Sequence, residues 1–101
     1  MQSILLVLPE AARLRYTATV LMRAGYHVLS AEGGEEALQA CHSGAERIDL
    51  FVIDFTIEGS HGDLLRGMYP GVPALVLADV GSVDILDRVR RALTQSPKEN
   101  A

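Results

Sequence analysis

The sequence predicts a three-layer α/β fold, a doubly wound parallel sheet with helices on both faces. Three observations carry that expectation. Two short, continuous apolar runs, in Ser3 to Leu8 and at Leu50 to Ile53, suit strands buried on both faces, and such strands belong to parallel sheets. Segments with apolar residues at helical spacing alternate with the strand-like runs. The connections between them are short, as strand–helix–strand crossovers in one sheet require. At 101 residues the chain is long enough for one domain with its own core, expected over 1–95, with a polar tail at 96–101.

The elements follow in order. Ser3 to Leu8 is the first strand. Pro9 comes next, and because proline is tolerated in a first helical turn, a helix is expected to open there. Between Glu10 and Ala24, residues Leu14, Thr17, Ala18 and Leu21 recur at helical spacing, and Gly25 stands where a helix C-terminal glycine belongs. Tyr26 to Ala31 is the second strand, with Val28 and Ser30 on one face and His27 and Leu29 on the other. After the break at Gly33-Gly34, Glu35 and Glu36 open a second helix at its positive end, which favours acids. Ala37, Leu38 and Cys41 form its inner face, and Gly44 ends it.

The third strand runs from Ile48 to Asp54 and is followed by a loop through Gly62. Asp63 to Tyr69 is a short helix stopped by Pro70-Gly71. Pro73 to Ala78 is a fourth buried-type strand. Ser82 suits an N-cap, and Val83 to Thr94 is the last helix, with Ile85, Leu86, Val89, Ala92 and Leu93 on one face.

Bulk properties narrow the function classes. A net charge of -4 speaks against nonspecific binding to nucleic acid or anionic lipid. No apolar run approaches the roughly 20 residues that span a bilayer. The N-terminus lacks the charged region and cleavage site of a signal peptide. Cys41 stands alone and cannot form an internal disulfide, which fits a reducing cytoplasm. His27, His42 and His61 have no cysteine–histidine ladder around them, so no structural zinc site is expected. The notable acid is Asp54. It emerges at the carboxyl end of its strand, where open α/β sheets place their ligand crevice.

Three stretches resemble a known family. They are Ala24-Gly25-Tyr26-His27-Val28 with Gly34-Glu35-Glu36-Ala37-Leu38, then Asp49-Leu50-Phe51-Val52-Ile53-Asp54, then Gly59-Ser60-His61-Gly62 with Leu64-Leu65-Arg66. Together, over roughly residues 3 to 80, they are similar to the receiver domain of bacterial two-component response regulators. The resemblance implies a flavodoxin-like receiver fold, here reduced to about four strands in the order 2-1-3-4 and four helices. It also implies that Asp54 is at the position that accepts a phosphoryl group from a histidine kinase.

The departures from that family concern its chemistry. A carboxylate attacks a polyanionic donor poorly unless a divalent cation neutralises the developing charge. The family holds that cation with an acidic pair at the end of its first strand plus the acceptor aspartate. Leu8 and Pro9 fill the pair positions here, and Glu10 beside them starts the helix. Thr56 also belongs to this altered pocket. Ala78 stands where the family has a hydroxyl residue, and Glu58 replaces a proline in the loop after the acceptor. No lysine occurs before Lys98, so the family's fifth-strand lysine has no counterpart. Either the chain stops after a counterpart of the family's fourth helix, or the fourth helix and fifth strand are lost and Asp84 to Leu93 is similar to the family's final helix. The second is favoured, because the sheet face covered only by the first helix needs a partner there. The last helix is expected to pack beside the first helix, opposite the second and third. The fourth strand then becomes a sheet edge, and Ala74, Leu75, Val76 and Leu77 are the candidate interface for a second copy or another protein.

The sequence therefore points to a non-enzymatic, shortened receiver that signals by protein contact, with a sensor kinase or signalling protein as partner. It is expected to need no cofactor, with magnesium binding weak or absent, and to involve neither nucleic acid nor membrane. The alternatives are a receiver that still accepts phosphate on Asp54 and a small flavodoxin-like cofactor binder. Other conspicuous residues read plainly. His61 is expected to be an exposed loop histidine, and Cys41 a small core residue. Arg88, Arg90 and Arg91 read as a solvated helix face beside Asp84 and Asp87. Gly33-Gly34 lacks both a dinucleotide fingerprint and a P-loop lysine.

Overall fold

The continuous apolar runs become the two central strands. β1 spans Ser3–Val7 and β3 spans Leu50–Asp54; all of these residues but Ser3 are buried. The computed structural model describes residues 2–44, 47–54, 56, 62–77 and 85–94. β2 (His27–Ala31) and β4 (Ala74–Leu77) complete a four-stranded sheet in the order β2-β1-β3-β4. All three pairings are parallel, with Val7 opposite Ile53 and Asp54 opposite Leu77. The helices are α1 (Ala11–Arg23), α2 (Gly34–Gly44), α3 (Asp63–Met68) and α4 (Ile85–Thr94). This is the expected α/β topology with the expected strand order.

Alternation along β1 and β3 divides the core in two. Ile4, Leu6, Leu50 and Val52 point to one face and pack with Leu14, Ala18 and Leu21 of α1 and Val89 of α4. Leu5, Val7, Phe51 and Ile53 point to the other face and meet Ala37 and Cys41 of α2 and Leu65 of α3. The last helix thus does lie in the same layer as α1, opposite α2 and α3. On the second face the Phe51 ring meets Tyr69 edge-on, with centroids 5.8 Å apart. Burial and the neighbouring Cys41 thiol raise the Tyr69 phenol above its ordinary pKa of 10.0.

The element ends show where local chemistry overrides the simple pattern. α1 begins at Ala11, not at Pro9, because Glu10 is the N-cap and is extended at φ -98 and ψ 118. Pro9 therefore precedes the helix instead of forming its first turn. At the other end Gly25 has φ +101, which its lack of a Cβ permits. Its N–H donates to the Met22 carbonyl at 3.0 Å, and the Tyr26 N–H donates to the Leu21 carbonyl at 3.2 Å. This is a Schellman ending, as the position of the glycine led one to expect. β3 starts at Leu50, two residues later than the expected start at Ile48. The Asp49 side chain turns back instead to accept the Ser3 N–H at 2.8 Å. Ala78, Ser82 and Val83, together with the 96–101 tail, lie outside the described residues.

Candidate functional site

The carboxyl edge of the sheet brings Asp54 between apolar neighbours. Leu77 is its register partner on β4, and Leu8, fully buried, follows the Val7–Ile53 pair on β1. Asp54 itself is only 5% exposed. A carboxylate so placed must be satisfied locally, since burying an unpaired charge is very costly. Thr56 supplies two donors to Oδ2: its backbone N–H at 3.0 Å and its hydroxyl. An aspartate that accepts the N–H two residues on makes an Asx turn, and the threonine hydroxyl reinforces it.

The other oxygen, Oδ1, faces Arg13 of α1, whose Nη1 lies 3.7 Å away. That distance makes an ion pair and exceeds a good hydrogen bond. The Arg13 side chain is 31% exposed, so water reaches one side of the pair. The carboxylate is thus compensated by groups of its own chain, one from the following loop and one from a helix.

The sequence-derived pocket positions fall out as follows. Leu8 is buried in the core, while Pro9 and Glu10 are exposed at the entry to α1. Thr56 joins Asp54. Glu58, His61 and Ala78 lie outside the described residues. Two of the positions that the resemblance implies as cation ligands carry no donor. Leu8 and Pro9 bring no side-chain oxygen, and magnesium requires near-octahedral oxygen ligation. Among the described residues no three His, Cys, Asp or Glu side chains converge.

Arg13 was not apparent as a site residue from the sequence, although a signal existed. It sits four residues before Thr17, on the rim of the buried stripe of α1. It also occupies the first turn, which contains no acid, and a cation there opposes the helix dipole. An arginine held against that preference needs a partner, and Asp54 is that partner.

No protein-family model matches the sequence, and no curated protein matches it. Solved structures do match, and they show the fold to be that of response regulator receiver domains. A CheY-like receiver domain protein from Methanospirillum hungatei JF-1 superposes with a TM-score of 0.76 at 21% identity, covering 98% of this chain and 98% of that one. A receiver domain protein from Clostridium thermocellum gives 0.70 at 20% identity, over 95% of this chain and 77% of that one. The response regulator TrrA from Thermotoga maritima, solved in complex with Mg(2+)-BeF, gives 0.69 at 21%, over 92% and 99%.

Proposed function

We propose that this chain is an atypical receiver of two-component signal transduction, acting by protein contact without conventional magnesium-dependent phosphorylation. It is not an enzyme on this reading, and it works in the cytoplasm with a sensor kinase or another signalling protein. One observation carries the proposal: both oxygens of Asp54 are engaged by Thr56 and Arg13, beside Leu8 and Pro9 instead of acids. The receiver fold supplies the context, and the lone Cys41 fits a reducing compartment. Among the described residues no helix is long and apolar enough to cross a membrane.

Incubation with a small-molecule phosphodonor and magnesium, read by intact mass, tests the reading. The expected result is an unmodified chain. A phosphoryl adduct that disappears in Asp54→Asn would overturn it and establish the second reading, a phosphorylatable receiver. Arg13 favours that second reading in one respect, since a guanidinium beside the acceptor can neutralise charge without a metal.

The outer edge of β4 is the contact surface we assign to the edge-pairing mode. β4 pairs only with β3 among the described residues, and Ala74, Leu75 and Val76 are half-buried while Leu77 is buried. A second copy or an extended segment of another protein would add a strand there. Light scattering at high ionic strength tests this, because backbone pairing survives salt. A monodisperse monomer at high concentration removes the edge mode.

A further inference from the structure

A chain of net charge -4 looks uniformly acidic, but the fold sorts its charges. The α1/α4 layer carries Arg13, Arg15, Arg23, Arg88, Arg90 and Arg91 against Asp87, with Glu10 just before α1. The opposite layer carries Glu35, Glu36 and Asp63 against Arg66, with Glu32 just before α2. Six of the nine basic residues therefore lie in one layer, and the acids dominate the other.

The basic layer is also poorly neutralised. Arg13 is committed to Asp54, and Arg91 pairs with Asp87 at 3.2 Å. Arg15, Arg23, Arg88 and Arg90 are exposed and make no ion pair among the described residues. Apolar side chains accompany each charged surface. Tyr16 and Met22 of α1 are 70% and 51% exposed, and Leu64 and Met68 of α3 are 56% and 39% exposed. Tyr16 and Arg23 share one side of α1, two turns apart, while Leu64 and Met68 are neighbours one turn apart. Tyrosine, methionine and arginine are enriched in protein interfaces. Along α2 an open groove of about 490 Å³, lined by Glu35, Leu38, Gln39 and His42, adds relief to the acidic side.

We propose that this chain self-associates head to tail, the arginine-rich α1/α4 surface of one copy docking on the acidic α2/α3 surface of the next. Charge dictates the geometry. A two-fold dimer through either layer would set arginines against arginines or acids against acids. Only the heterologous arrangement opposes the two signs, and it forms rings or open chains. The proposal goes beyond the reading of Asp54, which it does not use.

The test is sedimentation velocity of the whole chain across a salt series. Between about 0.02 M and about 0.3 M salt the Debye length falls from roughly 20 Å to roughly 6 Å. Self-association is expected at the low end and to weaken about ten-fold at the high end. Arg23→Glu with Arg88→Glu removes the positive excess of the α1/α4 surface, and Glu35→Lys with Asp63→Lys removes the negative excess of the α2/α3 surface. Each double variant alone is expected to be monomeric, with unchanged far-UV circular dichroism. An equimolar mixture of the two is expected to associate again. Association that ignores both salt and the charge reversals overturns the proposal and points to the β4 edge. A monomer at low salt and high concentration also overturns it, and assigns the arginine surface to a different acidic partner.

Discussion

Asp49 and Asp54 bracket the same buried strand, and the two carboxylates are held by similar partners. At the amino edge, Asp49 accepts the Ser3 N–H at 2.8 Å on Oδ2 and Arg47 Nε at 3.1 Å on Oδ1. At the carboxyl edge, Asp54 accepts the Thr56 N–H on Oδ2 and faces Arg13 across Oδ1. Each has a backbone amide on one oxygen and an arginine on the other. The differences lie in depth and origin. Asp54 is buried and its arginine comes from a distant helix. Asp49 is half-buried, and Arg47, two residues away, is 83% exposed. Asp49 staples β1 to β3. That Asp54 is held in the same manner agrees with the proposal of a receiver that works without conventional phosphorylation.

Substitutions along this strand test the comparison. The largest effect is expected from Phe51→Ala, which hollows the strand between the two acids and removes the Tyr69 contact. Loss of a buried aromatic costs about 3–5 kcal/mol, so urea denaturation should show a severely destabilised domain. Asp49→Ala strands the Ser3 N–H and is expected to cost roughly 1.5–3 kcal/mol, the range for hydrogen bonds to charged groups. An unchanged urea midpoint would mean the staple is ornamental.

Arg13→Met is expected to cost about 1–2 kcal/mol. Breaking a buried pair costs more, but Arg13 is partly solvated and 3.7 Å from its partner. If both acids are structural, Arg13→Met with Asp54→Leu should recover part of that loss, because no buried charge is left alone. Failure to recover would instead mark Asp54 as held for a purpose beyond stability. Arg47→Met is expected to change stability by less than about 0.5 kcal/mol, as exposed pairs do. The smallest effect concerns alkaline pH. The raised Tyr69 pKa means the folded state favours the neutral phenol. Its contribution is full below the ordinary value of 10.0 and is lost as pH rises through the folded value. Tyr69→Phe should flatten that decline and leave both aspartates unaffected.

Much of the fold was legible because strand and helix periods are local. The apolar runs of β1 and β3, the stripe of α1 and the glycine at Gly25 each sit where packing needs them. The place of α4 beside α1 also followed from counting which sheet face lacked cover. The site was legible only in outline. Asp54 could be placed at the strand end, and the Asp54–Thr56 spacing is that of an Asx turn. The Arg13–Asp54 pair could not be placed, because it joins residues far apart in the chain through the angle at which α1 crosses the sheet. Strand starts slipped for a similar reason. Asp49 has a side-chain use that hydropathy does not register.

The single thiol has a use of its own. Cys41 is buried on the inner face of α2, against β1 and β3, and is the chain's only cysteine. A thiol reagent added to the native protein can reach it only when the α2 layer lifts from the sheet. Its labelling rate is therefore a built-in clock for that opening. Compared with the global unfolding rate, it reveals whether the acidic layer detaches by itself or only when the whole molecule unfolds.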